Sequence, residues 1–180
     1  MRSFSGPMRW LAMVLAVAGV VLVLRGLCTR ASAQAALPAT GSAGPRQRIT
    51  VMTYNIHAGL GVDFVYSLDR VADLIRTEQA DIIGLCEVEQ RTEKVNFDDQ
   101  AKLVADRLGF YHAYGPIFPR STGFFCNALI SRLPILSHRT HQLPNPNRAQ
   151  PRAALEAQVD VDGTVVTVFV THLEVADSGS

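Results

Sequence analysis

The chain has 180 residues, about one domain, with 48% hydrophobic residues, 18% charged residues and a formal net charge of +1. That composition excludes an intrinsically disordered chain, three Cys are too few for a disulfide scaffold, and no uncharged apolar run reaches the ~18 residues of a membrane-spanning helix. Residues 1–48 hold six Arg and no acid, while the remainder holds 11 basic and 16 acidic side chains, so the body is mildly acidic. That argues only modestly against broad, sequence-blind binding of nucleic acid, because metal ions can offset the charge.

The first segment reads as a targeting signal. Arg2 and Arg9 precede an apolar run from Trp10 to Leu24, and Ala31-Ser32-Ala33 follows with the small residues of a signal-peptidase site. As a helix, 15 residues would span only about 22 Å of a ~30 Å hydrocarbon core. Residues 1–33 are therefore expected to be a signal peptide of a secreted or periplasmic protein. The alternative is an uncleaved single-pass anchor, with the body facing outside the cytoplasm and Arg9 and Arg25 reaching the two interfaces. Cys28 follows Arg25, Gly26 and Leu27, a poor lipoprotein site. Residues 34–48, rich in Ala, Gly and Pro, read as a flexible linker to a body at 49–180.

The body begins with a strand over Ile49–Ile56. Ser67 caps a helix with Leu68, Val71, Ala72 and Ile75 on one face. A second apolar strand covers Asp81–Val88. A second helix, capped by Asp98 or Asp99, carries Leu103, Val104 and Leu108 and stops at Gly109. Strands are then expected over Tyr111–Ile117, Phe124–Ser131, Ile135–Leu143, Ala153–Val161 and Thr164–Thr171, the last two joined by the turn Asp162-Gly163. Two helix-bearing steps followed by a run of strands point to an α/β fold with a mixed sheet. Six Arg and no acid lie between Arg107 and Leu155. These read either as an ordinary solvated face or as a phosphate-facing rim opposite an acidic, metal-binding half.

The polar residues with chemical potential stand at strand ends. Asn55 and His57 close the first strand, Glu87 the second and His172 the last. A carboxylate so placed suits a hard cation, and an amide beside it suits the metal or a phosphate oxygen. Singly, each has a plainer explanation: a turn-forming Asn, an exposed Glu, a structural His.

Together, Thr53-Tyr54-Asn55-Ile56, Asp81-Ile82-Ile83-Gly84-Leu85-Cys86-Glu87-Val88, Asn127-Ala128-Leu129-Ile130-Ser131-Arg132-Leu133-Pro134-Ile135 and Thr171-His172-Leu173 resemble the endonuclease/exonuclease/phosphatase superfamily. The likeness runs in order over residues 49–174, with Cys86 where the superfamily usually has Gln. It implies a four-layer α/β sandwich. It also implies a Mg²⁺ or Mn²⁺ ion on Glu87, with Asn55 orienting the ion or the scissile phosphate. His172 would stabilise charge on the phosphate, and Arg152 would contact a phosphate oxygen. His57 and Tyr111 are secondary candidates, and Asn127–Ile135 reads as core and turn. The superfamily's later Gly-Asp-x-Asn and Ser-Asp-His segments, which supply the water-activating groups, are not found before Ser180. The expectation is an exported metal-dependent phosphohydrolase of phosphodiesterase or nuclease type, with the C-terminal half of its fold missing and little activity in this form. Its substrate would be a phosphoester, such as nucleic acid or a phospholipid head group. No protein partner is implied, and membrane contact only if the N-terminal segment is retained. The alternatives are a non-catalytic phosphate- or ligand-binding domain of the same fold and an unrelated exported α/β domain.

Overall fold

Two four-stranded sheets pack face to face in the computed structural model, which describes residues 18–23, 48–145 and 150–173. The strands are β1 (Ala18–Val23), β2 (Val51–Asn55), β3 (Ile82–Gln90), β4 (Tyr111–Arg120), β5 (Gly123–Ser131), β6 (Ile135–Gln142), β7 (Ala153–Val161) and β8 (Thr164–His172). Helix α1 spans Leu68–Thr77 and α2 spans Gln100–Leu108. The first sheet has the order β2-β3-β5-β4 and the second β1-β8-β7-β6. Among the described strands, only β2 and β3 pair in parallel; the other pairs are antiparallel.

The sequence explains which sheet is covered twice. The run Ile82-Ile83-Gly84-Leu85-Cys86 has no polar alternation, and a strand of that kind is buried on both faces. Ile83, Leu85 and Val88 pack against Val71, Ile75 and Val104 of the helices. Ile82, Cys86 and Leu129 pack against Leu155, Val159 and Val168 of the second sheet. β7 and β8 do alternate, so one face of that sheet packs inward and the other is partly open to solvent. The described layers are thus helix, sheet and sheet, belonging to the α/β sandwich expected from the sequence. Gly115 permits the close approach of the two sheets: a Cβ there would lie 2.6 Å from the Cβ of Leu155.

The helix signals are used differently at the two N-termini. The Ser67 hydroxyl accepts the Arg70 N–H at 3.3 Å, and the four expected residues of α1 are buried. At α2, Asp99 occupies the cap position but its side chain does not cap. The Tyr114 hydroxyl accepts the N–H groups of Ala101 and Lys102 instead, at 2.9 and 3.2 Å, and donates to Asp99. Gly109 ends α2 with φ +70°, as its lack of a side chain allows.

At the N-terminus, Ala18–Val23 forms a strand along the edge of β8, where the sequence reading had part of an apolar helix. Short apolar runs suit either state. Val20, Val21 and Val23 are β-branched, and the edge of β8 offers unpaired backbone groups. No helix among the described residues is long and apolar enough to cross a membrane. Most of the segment 1–33, the linker over 34–47 and Cys28 lie outside the described residues.

The sheet-to-sheet fit gives a direct test. Gly115→Ala is expected to lower stability by about 1–3 kcal/mol, through overpacking against Leu155. A urea unfolding midpoint unchanged from that of the native chain would contradict this packing.

Candidate functional site

The loaded residues gather where β2 and β8 end, β7 begins and β3 is interrupted. Along β3, Ile82 and Cys86 face the second sheet, whereas Ile83 and Leu85 face the helices. Pairing with β5 is continuous to Leu85–Ala128 and resumes at Val88–Cys126. Cys86 and Glu87 therefore oppose the single residue Asn127, which defines a β-bulge. Glu87 sits in it with φ +55°. This corrects one expectation: Glu87 does not end its strand, which runs on to Gln90.

The Glu87 carboxylate is held by one hydrogen bond and bordered by an imidazole. Asn55 Nδ2 donates to Glu87 Oε1 at 2.8 Å, and His172 Nε2 stands 3.8 Å from the same oxygen. Asn55 Oδ1 accepts the His57 N–H at 2.9 Å. The amide nitrogen thus faces Glu87, and the amide oxygen is used by the following turn. His57 contributes its backbone to this arrangement while its side chain is exposed. The turn is strained, with His57 and Ala58 at φ +49° and +54°.

His172 is buried, and its Nδ1 has no partner within the protein. Burial holds its pKa below 6.5. Nearby Arg152 acts in the same direction, while Glu87 opposes them. The neutral imidazole is therefore favoured near neutral pH. Arg152 stands just ahead of β7, and its Nε is likewise buried without a partner. Asn55, Glu87, Arg152 and His172 thus form one constellation, with His57 on its rim. Tyr111 lies apart, at the far end of β4, paired with Ser131.

The reading of the Arg-rich segment as a phosphate-facing rim does not hold. Arg107 pairs with Asp69, Arg120 with Glu89, Arg132 with Asp81 and Arg139 with Glu156. Only Arg152, among the described Arg residues of that segment, lies near His172 without a carboxylate partner. Long-range pairing of this kind has no signature in the order of charges along the chain.

Two supporting residues were not singled out as functional in the sequence. Gln100 is fully buried. Its Oε1 accepts the Glu89 N–H and its Nε2 donates to the Ala58 carbonyl, both at 2.8 Å, which ties the segment after the bulge to the turn after Asn55. Asn127, read as core and turn, faces the second sheet from opposite the bulge. Its Nδ2 donates to the Ala153 carbonyl at 2.9 Å and to the Val170 carbonyl at 3.4 Å. A Gln at the start of a helix and an Asn inside an apolar strand were the available signals: a buried amide needs partners.

Cys86 and Cys126 are free and buried, as their apolar settings suggest. Cys86 Sγ donates to the Thr171 carbonyl at 3.7 Å. Burial pushes both thiols up to about 12, with nearby carboxylates adding to the shift. Folding thus favours the neutral thiol. The associated stability is whole below the ordinary thiol value of 9.0 and drains as the pH rises towards 12.

A family profile described as "PGAP2IP, C-terminal nuclease-like domain" matches residues 46–178. Protein cwh43 of Schizosaccharomyces pombe is 33% identical over 130 residues, 71% of this chain and 13% of that protein. Among solved structures, an endonuclease/exonuclease/phosphatase from Beutenbergia cavernae is 26% identical with a TM-score of 0.58, over 71% of this chain and 39% of that one. An endonuclease/exonuclease/phosphatase family protein from Leptotrichia buccalis gives 19% and 0.56, over 73% and 57% of the two chains. A humanized TDP2 of D. rerio gives 17% and 0.51, over 72% and 48%. The chain therefore spans well under two thirds of the length of each of these proteins.

The thiols supply a test of the packing behind the site. At pH 8, iodoacetamide followed by peptide mapping is expected to leave Cys86 and Cys126 unlabelled in the native chain and to label both in urea. Labelling of either residue in the native chain would show that the site end of the sandwich is open.

Proposed function

Because the chain belongs to the family of the PGAP2IP C-terminal nuclease-like domain, within the endonuclease/exonuclease/phosphatase superfamily, we propose that Asn55, Glu87, Arg152 and His172 form the metal- and phosphate-binding side of a phosphoester-hydrolase site. The observation that carries this reading is the Asn55–Glu87 hydrogen bond at the bulge, with His172 beside it. The bond fixes one carboxylate oxygen, and Glu87 remains partly open to solvent.

Members of the superfamily are generally dependent on a divalent metal. The donor set fits Mg²⁺ or Mn²⁺ held loosely. Mg²⁺ retains most of its water and uses one or two carboxylates together with substrate phosphate oxygens, and Glu87 is a hard oxygen donor with no Lys or Arg partner among the described residues. The described residues contain no cluster of three or more His, Cys, Asp or Glu that would hold a metal by itself. When bound, such an ion would polarise a phosphoryl oxygen and acidify a water molecule. Asn55 acts by holding the Glu87 carboxylate. Arg152 presents an unpartnered N–H suited to a phosphate oxygen. His172, kept neutral, hydrogen-bonds the phosphate and stabilises charge as it develops. The exposed His57 ring flanks the entrance as a substrate contact.

Among the described residues, Glu87 is the one carboxylate of this group. General-base catalysis contributes about 10²–10⁴-fold, and no second carboxylate among the described residues of the constellation provides it. Low turnover of a chromogenic phosphodiester by this chain is expected on that account, and the same observation favours a second reading, a phosphate-binding domain without turnover. Under either reading the ligand is a phosphoester, with nucleic acid and phospholipid head groups both in its class. The apolar run and Ala31-Ser32-Ala33 further support export; sequencing of the exported chain should begin at or near Gln34, a cleavage that removes β1 and leaves β8 as the edge of its sheet. Retention of Met1 in a membrane fraction would favour the anchored form.

Metal binding tests the site without relying on turnover. Titration with MnCl₂, followed by paramagnetic broadening of backbone signals, should broaden Glu87 and its neighbours first. Glu87→Gln should abolish that pattern, and Asn55→Ala should weaken it about 10-fold, as loss of a ligand-orienting partner does. An unchanged pattern in Glu87→Gln would overturn the assignment.

A further inference from the structure

Asn127 is fully buried and is the one residue of β5 opposite the two-residue bulge that carries Glu87. Its carboxamide reaches across the gap between the sheets. Nδ2 donates to the carbonyl of Ala153, the residue after Arg152, at 2.9 Å, and to the carbonyl of Val170, two residues before His172, at 3.4 Å. The Ala153 carbonyl also accepts the Thr171 hydroxyl at 3.1 Å, which closes a small network joining β5, the start of β7 and the end of β8. Three buried polar atoms in this part of the fold have no protein partner: Asn127 Oδ1, Arg152 Nε and His172 Nδ1. A purely apolar core would not retain an amide in such a position, because the unmatched Oδ1 costs free energy on burial.

We infer that Asn127 is a positioning residue: it fixes the starts and ends of strands from which Arg152 and His172 approach the phosphate site, and it does so from the residue that faces the Glu87 bulge. The phosphate readout below rests on the reading given under "Proposed function"; the spectroscopic readout does not. Asn127 need not touch the ligand. Its role is to hold one cationic and one imidazole side chain in register with a carboxylate on another sheet, a relation that close packing alone leaves loosely defined.

The test uses the full chain and three substitutions. Asn127→Leu keeps the branched shape and heavy-atom count of the side chain and removes both donors. Thr171→Val removes the other bond to the Ala153 carbonyl with little change in shape. Leu129→Ala, on the same face of β5 but within the apolar core, serves as a control for loss of stability alone. The readouts are the ¹⁵Nε–H signal of Arg152 and the affinity for inorganic phosphate in the presence of Mg²⁺. Asn127→Leu is expected to move the Arg152 signal and to weaken phosphate binding about tenfold, the equivalent of one hydrogen bond to a charged group. Thr171→Val should move the same signal by less, and Leu129→Ala should move neither readout. An Arg152 signal unmoved by Asn127→Leu and Thr171→Val would overturn the inference, as would equal effects in the Leu129→Ala control. If Asn127→Leu fails to fold, Thr171→Val against the control decides. If the native chain binds no phosphate while the Arg152 signal responds as stated, the phosphate-site reading fails and the positioning role stands.

Discussion

The bulge at Cys86 and Glu87 governs what the rest of the site can do. Strict alternation along β3 would turn Glu87 towards the helices, into the apolar layer that contains Leu85 and Val88. The additional residue avoids this. It gives Glu87 a φ of +55°, leaves its carboxylate beside Asn55 and His172, and restores the alternation so that Val88 again faces the helices. A non-glycine residue in that conformation costs of order 1–3 kcal/mol and persists only where its surroundings fix it. Here the Cys86 carbonyl accepts the Ile56 N–H at 3.1 Å, Cys86 Sγ is buried against β8, and Gln100 holds the Glu89 N–H. Three elements thus converge on two residues of one strand.

Charge is distributed so that most of it is neutralised away from this point. Asp81 accepts Arg132 through Nε at 2.8 Å and Nη2 at 2.5 Å, and its other oxygen accepts the Thr50 N–H at 2.9 Å. The buried Glu89 pairs with Arg120, whose guanidinium also lies over the rings of Phe118 and Phe125. These contacts organise strand ends and the β4–β5 hairpin. They leave Arg152 as the cation beside His172 with its Nε unpartnered, and the pressure it exerts on His172 adds to that of burial.

Local signals made much of this architecture legible. The spacing of Leu68, Val71, Ala72 and Ile75, the Ser67 cap, the Gly109 stop and the Asp162-Gly163 turn all act within a few residues, and each is realised. The collinear motifs led to Asn55, Glu87, Arg152 and His172, which the fold brings together. Contacts made across the sequence were harder to read. The bulge depends on β5 pairing with β3 across 40 residues or so, and nothing within Leu85-Cys86-Glu87-Val88 marks it. Tyr114 replaces Asp99 as the cap of α2 through a tertiary contact. Arg107, Arg120, Arg132 and Arg139 look like an unopposed basic stretch until folding brings acids from outside it beside them, three from earlier segments and Glu156 from a later one. Asn127 and Gln100 gain their roles only through partners on other elements.

The proposed role of the bulge is to place the Glu87 carboxylate at a cation site between the ends of the two sheets. Anomalous diffraction from crystals soaked in MnCl₂ tests it most directly. The account predicts a Mn²⁺ peak within coordination reach of a Glu87 carboxylate oxygen, with Asn55 Nδ2 still bonded to that carboxylate and with Arg152 and His172 bordering the ion. A Glu87 side chain turned into the helix-facing core, or a Mn²⁺ peak only at surface carboxylates remote from Asn55 and His172, would contradict it.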